Sequence, residues 1–476
     1  MSVEQDSGNA TPPTPAIAPG LDTASARDAA RRFASRGMDP RVTAAVPTFD
    51  APFFQAGLAG YSDAAMRLIA RRHGCPFCVT EALLDRTLIA GGRGFTKADL
   101  GELHDNVPGG SDDHPLACQI MGSDPDEMAA ACLKASEQGR QGDKFYRRLA
   151  YQGRLSPAPQ PNARPLRLPG GEQLDPTEGL GDSRESDSCE HDSCETLIDE
   201  INDIEGLGQE PPADAEFESP APRGSASSAL AFETIDVNLA CPVKKIKSKA
   251  RGGHWLAEPD GAIEILAAVR RTVPAHVPCT VKLRRSYDDT PEMAANLTRI
   301  LDAATDLGYA WATVHARTVV QKYIGPSRWD LLRTIVRRHP RLPIFGSGDI
   351  WNAGDIFLMI EYTGVVGAAV ARGCIGNPWI FRQARDLLAG RDPRPPTPAE
   401  QRAVLEQHLA LAIRVNAAMR HPEDATSKQM RKFGIRFSAH HPTPNPVRLA
   451  FIAARSLSDW HHALDTFYPA REPQPT

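Results

Sequence analysis

The sequence has no run of roughly 18 consecutive apolar residues, so no segment reads as a membrane-spanning helix. Between Met1 and Gly20 it has no apolar stretch flanked by positive charge, which argues against a secretory signal. Its nine cysteines follow no extracellular spacing pattern, and the expected compartment is reducing and cytoplasmic. Apolar residues make up 41% of the 476 positions, below the usual globular share, and prolines number 41. Part of the chain is therefore not expected to pack. Basic residues are nearly missing from Gly171 to Pro220, where 17 Asp and Glu stand against Arg184 alone. This segment contributes −16 to a net charge of −5, so the remainder carries +11. A basic body favours nucleic acid as a partner.

Residues 1–45 read as a flexible leader, with one short helix over Ala24–Arg36. Eight strand signals follow, near residues 53–58, 77–82, 116–122, 233–240, 279–284, 311–317, 343–349 and 367–373. Helical patterns separate them. Ser62-Asp63 and Ser123-Asp124-Pro125 carry helix-start chemistry. Eight alternating βα units over some 250 core residues predict a closed (β/α)8 barrel over residues 46–390, with an open doubly wound sheet as the alternative. Residues 139–230 interrupt it before the fourth barrel strand as an acidic, low-complexity, disordered insertion. Within it, Cys189, His191 and Cys194 fit the usual metal-ligand spacing poorly, and no metal is expected. Beyond Thr397 strand signals cease. Helical patterns at Ala399–Met419 and Pro446–Phe467 predict a small all-helical domain over residues 391–476.

Polar residues collect at the predicted strand ends: Glu81, Gln119, Asn238, Cys241, Lys282, Arg284, His315 and Arg317, with turns at Gly346–Asp349 and Ala371–Gly373. In parallel α/β folds that end is where chemistry is done. Cys241 follows the strand Glu233–Asn238, which Pro242 stops, and precedes the basic run Lys244, Lys245, Lys247, Lys249 and Arg251. Read alone, it is either a reactive thiol or a buried structural one. The two Gly-rich turns match the phosphate site of such barrels. With Lys282 and His315 placed centrally, the set fits a flavin mononucleotide whose reduced ring a nearby cation would favour.

With these residues in place, the chain resembles the tRNA-dihydrouridine synthases over most of residues 53–390. The motifs are Ala59-Gly60-Tyr61-Ser62-Asp63, Val79-Thr80-Glu81, Gln119 with Gly122–Pro125, Asp236–Lys245, Val281–Arg284, His315–Thr318, Gly346–Ile350, and Arg372-Gly373 with Gly376–Trp379. Met430-Arg431-Lys432-Phe433 looks like the family's signature on its helical tRNA-binding domain. The resemblance implies a monomeric barrel that holds FMN and reduces specific uridines in tRNA to dihydrouridine at the expense of NADPH or NADH. Cys241 would be the general acid, protonated until it gives its proton to uracil C5. Gly57, Leu58, Gln119, Lys282, His315, Ser347, Gly348, Asp349, Ala371 and Arg372 would hold the cofactor. Asn238, Lys244, Lys245, Arg284, Arg317, Arg431 and Lys432 would face the base or the tRNA. Gly57, Ala240 and Ala371 depart from the family pattern. A methyl at 240 or 371 is tolerable where the backbone avoids left-handed conformations. The alternatives are an FMN barrel acting on a free pyrimidine or enone, and a non-catalytic RNA-binding relative.

Overall fold

The computed structural model describes residues 23–90, 110–151, 231–242, 252–417 and 421–469. Nine strands form one parallel sheet: β1 Phe53–Gln55, β2 Cys78–Val79, β3 Leu83–Leu84, β4 Leu116–Met121, β5 Thr234–Leu239, β6 Cys279–Arg284, β7 Trp311–His315, β8 Ile344–Ser347 and β9 Gly367–Val370. β1 pairs with both β2 and β9, and β2 pairs with β4, so the sheet closes on itself. β3 belongs to the same stretch of chain as β2 and pairs with β4 one step further along. The result is the expected eight-stranded parallel barrel. The second strand is interrupted at Thr80, whose hydroxyl accepts from the Gln119 N–H at 3.0 Å.

Fifteen described α-helices surround and follow it. They are α1 Thr23–Arg36, α2 Pro40–Ala45, α3 Ala64–Arg72, α4 Asp85–Ile89, α5 Pro125–Ser136, α6 Asp143–Tyr151, α7 Pro259–Thr272, α8 Pro291–Asp306, α9 Trp329–Arg338, α10 Ala353–Thr363, α11 Trp379–Leu388, α12 Pro398–Val415, α13 Pro422–Phe437, α14 Pro444–Ala453 and α15 Leu457–Phe467. The starts follow local chemistry. Asp63 caps α3, Asp124 caps α5 with Pro125 in its first turn, and Thr397 and Glu400 form a reciprocal capping box on α12.

Two expectations need correction. The leader is folded from Thr23 onward. α1 buries Ala26, Ala29, Ala30 and Phe33 against α10 and α11. Val42, Val46 and Phe49 then plug the N-terminal mouth of the barrel beside Phe54, Phe77, Trp311 and Phe345. Phe49 stacks on Phe77 at 4.9 Å and on Phe345 at 5.6 Å between centroids, so residues 40–49 form the barrel floor. The insertion expected from Gly139 also begins later. α6 buries Tyr146, whose hydroxyl donates to Glu137 at 3.0 Å, and Ala150. Residues 152–230, with Cys189–Cys194, lie outside the described residues, as do Lys244–Arg251.

The helical C-terminal region is present, but its segmentation differs. α13 carries the Met430–Phe433 motif. The helix expected over Pro446–Phe467 is two helices, because Ser456 and Asp459 build a new capping box. After β9 the chain turns through Gly376, at φ 68°, where an added Cβ would lie 2.7 Å from the Phe437 nitrogen at the end of α13. Barrel and helical region thus meet backbone to backbone. No helix among the described residues is long and apolar enough to cross a membrane.

Candidate active site at the strand C-termini

Alternation along β5 sends Asp236 and Asn238 into the barrel, where the neighbouring strands meet them. Asp236 accepts from Thr280 Oγ1 at 2.6 Å and from Gln119 Nε2 at 2.7 Å. Gln119 Oε1 accepts from Asn238 Nδ2 at 2.7 Å, and Asn238 Oδ1 accepts from the Ala240 N–H at 2.9 Å. This chain of bonds makes a rigid polar floor across β4, β5 and β6. Burial pushes the Asp236 carboxyl up, against the Thr280 and Gln119 hydrogen bonds.

Cys241 stands one step beyond, half-buried against Met121 and Ala82. Its carbonyl accepts from the Gly253 N–H at 2.8 Å, and a Cβ at Gly252 (φ 43°) would come within 3.0 Å of the Cys241 Cβ. The chain returning at Gly252 therefore presses directly on the thiol residue. Neither Ala240 nor Ala371 has a positive φ, so their methyl groups are accommodated. At Gly57 a Cβ would lie 2.3 Å from the Thr80 carbonyl oxygen, and only glycine fits.

Lys282 and His315 project from β6 and β7. Burial, then the nearby Arg284, lowers Lys282 to about 8. Burial, then Arg284, Lys282, Arg317 and Arg372, pushes His315 well below its ordinary value, so the imidazole is neutral. Its Nε2 is buried without a hydrogen-bond partner. A buried orphan nitrogen in a cationic setting is a site awaiting a ligand atom.

Arg284 and Arg317 are both buried and committed to the chain's own oxygens. Arg284 donates to the carbonyls of Ala240, Thr318 and Lys322 at 3.1, 2.7 and 2.6 Å. Arg317 donates to the Gly325 carbonyl and, at 2.7 Å, to both oxygens of Asp349. They brace the loop after β7, while Arg317 Nη1 is buried without a hydrogen-bond partner. Asp349, left-handed at φ 53°, is the hub: it also accepts from the Ser327 N–H at 2.7 Å. Ser347 Oγ donates to the Ala369 carbonyl. Gly348 (φ 115°) leaves no room for a side chain beside Ser327, and a Cβ at Gly373 would lie 2.0 Å from the Ile350 carbonyl oxygen. Arg372 lies at the end of β9, 3.5 Å from Asp349.

The remaining expected residues fall elsewhere. Leu58 is half-buried at the start of the β1–α3 loop, where its N–H donates to Ser62 Oγ at 2.8 Å. Lys432 on α13 donates to the Gly60 carbonyl and lies 4.6 Å from the Tyr61 ring centroid, so it clamps that loop. Arg431 donates to the carbonyls of Lys428 and Ile452. Lys244 and Lys245 lie outside the described residues.

Residues 225–436 match the family model for dihydrouridine synthase (Dus). The relatives agree. The probable tRNA-dihydrouridine synthase of Mycobacterium tuberculosis (strain CDC 1551 / Oshkosh) is 31% identical over 234 residues, 48% of this chain and 58% of that protein. The probable tRNA-dihydrouridine synthase of Treponema pallidum (strain Nichols) is 36% identical over 207 residues, 42% of this chain and 58% of that protein. This stretch resembles the dihydrouridine synthases. The chain spans little more than half the length of these curated relatives. Among solved structures, histamine dehydrogenase from Rhizobium sp. 4-9 is 15% identical with a TM-score of 0.39, over 76% of this chain and 49% of that one. The dihydrouridine synthase match takes in β5–β9, with Asn238, Cys241, Lys282, His315 and Arg372. Gly57 and Gln119 precede the matched residues but sit in the same closed barrel.

Proposed function

We propose that this chain is an FMN-dependent reductase of uridines in tRNA, forming 5,6-dihydrouridine with NADPH or NADH as reductant. The observation that carries the reading is the partnerless Nε2 of His315, set beside Lys282 and within reach of the strand end that bears Cys241. The donor set suits an anionic, planar cofactor. Lys282, Arg284, Arg317 and Arg372 outnumber the carboxylates Asp236 and Asp349 around it. Gly348 and Gly373, packed too closely on Ser327 and Ile350 for a side chain, lie in the two turns where a phosphate would rest.

FMN, when bound, supplies the hydride for C6 of uracil. The chain's own residues do the rest. Lys282 and neutral His315 offer hydrogen bonds to the ring, only the first adding charge. The Gln119–Asp236–Thr280 network holds Asn238 in one orientation toward the base. The Cys241 thiol gives its proton to C5 and recovers one from solvent. A base within folded RNA must leave its stack to reach this recess.

The test uses Cys241→Ala. The variant should accept electrons from NADPH, seen as flavin bleaching, yet form at least 100-fold less dihydrouridine on tRNA from a deletion strain. Loss of both half-reactions would make the thiol structural and remove Cys241 from the mechanism. Purified wild-type protein that binds no flavin would sink the whole reading.

A further inference from the structure

Cys75 and Cys78 have no part in the reading above. Cys75 lies in the loop after α3 and Cys78 is the first residue of β2, so both sit at the N-terminal end of the barrel, away from Cys241. Their spacing is Cys-x-x-Cys, which in a reducing compartment points to metal or redox chemistry. Among the described residues no group of three or more His, Cys, Asp or Glu could hold a metal ion, which leaves redox chemistry. The Cys78 S–H donates to the Cys75 sulfur at 3.8 Å, and the Cys75 S–H donates to the Phe77 carbonyl at 3.1 Å.

The two thiols are not equivalent. Cys75 is on the wall of an open cleft of about 710 Å³, together with Arg71, Gly74 and Pro76. Cys78 is not on that wall and is fully buried. Arg71 donates to the carbonyls of Cys75 and Pro76 at 3.2 and 2.5 Å, which fixes the loop and sets a cation beside the first thiol. Burial raises the Cys75 thiol, but the Cys78 S–H and Arg71 more than offset it and bring it below its ordinary value. Burial, then Cys75, pushes Cys78 well up. Gln55 pairs in register with Cys78, so its side chain emerges on the same face, and both of its amide atoms are buried without hydrogen-bond partners. A core built only to pack has no use for that carboxamide. A thiolate or a sulfenic oxygen formed there would take its N–H.

We infer that Cys75 and Cys78 are a peroxide-oxidised dithiol, in which Cys75 reacts first and Cys78 closes a reversible disulfide. The Cys75 thiolate attacks one oxygen of hydrogen peroxide, the O–O bond breaks, and a sulfenic acid and water form. The Cys78 sulfur then attacks the sulfenic sulfur, the S–O bond breaks, and a second water leaves as the disulfide forms. Two electrons pass from the thiols to the peroxide, and both thiol protons end in water. Closing the sulfurs from 3.8 Å to about 2.05 Å is within the reach of side-chain rotation. No flavin takes part.

The full-length protein is reduced, freed of reductant, exposed to hydrogen peroxide, blocked with N-ethylmaleimide in denaturant and digested with trypsin. Residues 73–86 form one tryptic peptide that holds Cys75 and Cys78 and no other cysteine. This peptide should appear unalkylated and lighter by two hydrogens, and should return to its doubly alkylated form when dithiothreitol precedes the blocking. Cys132 and Cys279 should stay reduced in the same sample, which shows an intact fold. Cys78→Ser should stall at the sulfenic acid, with about tenfold more dimedone on Cys75 than Cys78 takes up in Cys75→Ser. Equal labelling of the two variants overturns the assigned order and the inference with it. A wild-type peptide that stays doubly alkylated, or that goes straight to sulfonic acid, overturns the dithiol and leaves the flavin reading untouched.

Discussion

Lys282 and His315 stand at adjacent strand ends, yet burial leaves them in different charge states near neutrality. Lys282, lowered to about 8, is still mostly protonated at pH 7, whereas His315 is neutral. Lys282 should therefore titrate near pH 8 in the flavin-free protein, read from the Cε resonance of 13C-methylated lysines. Lys282→Met should delete that resonance, and a titration near 10.5 would contradict the assignment. The linkage has a definite sign. The folded value lies below the unfolded one, so charged Lys282 costs stability below pH 8, and the cost fades as pH rises toward 10.5. Much at this scale was legible in the sequence. Strand alternation and the stop at Pro242 put Asn238, Cys241, Lys282 and His315 at one end of the barrel. What Arg284 and Arg317 touch was not legible. Long side chains reach whichever carbonyls the loops present, and the path of residues 316–328 has no period to read.

At the scale of elements, α13 shows why the helical region was only partly readable. Its apolar pattern is broken by Gly434, which looks like a helix breaker. In the fold it is the place where the Phe451 ring approaches, at 2.5 Å from where a Cβ would be. A tertiary contact selects the glycine there, and local propensity misleads. The same helix carries Lys432 to the β1–α3 loop. Glu81 accepts from the Gly60 N–H at 2.8 Å while Lys432 holds the Gly60 carbonyl, so the two peptides flanking this one residue are gripped from barrel and helix together. Lys432→Met should lower stability by about 1–2 kcal/mol, the combined worth of a charged hydrogen bond and a cation–π contact. Amide exchange over residues 57–63 should quicken, while Lys432→Arg should keep most of the protection. Unchanged exchange in Lys432→Met would mean the loop is held by the barrel alone. The eight strands and their order, by contrast, were open to prediction, because buried β-branched runs bounded by Gly and Pro recur at βα spacing.

Across the whole molecule, acid sensitivity has an identifiable source. His408 on α12 is buried against Phe433, with both ring nitrogens lacking partners, and burial pushes it down to about 4. The unfolded chain binds that proton near 6.5, so stability is present above pH 6.5 and is lost as pH falls through 4. The full loss is on the order of 3 kcal/mol. Asp85 opposes it. Burial raises its carboxyl to about 7, so its contribution is complete below the unfolded value of 3.8 and fades as pH rises through 7. His408→Leu should leave Asp85 unopposed, so its melting temperature should rise more between pH 7.5 and pH 5 than that of the wild type. An equal change in both proteins would place the titration elsewhere.

The turn at Gly376 has a bearing on how such proteins can be rebuilt. Its α-carbon lies so close to Arg436 and Phe437 that no side chain fits between. The two regions therefore cannot be exchanged as interchangeable parts. A chimera joining this barrel to the helices of a relative has to transplant the 376 turn and the end of α13 together. If only one half of that contact is moved, the helices will sit at a new tilt over the rim, and whatever they bind will be delivered to the wrong spot.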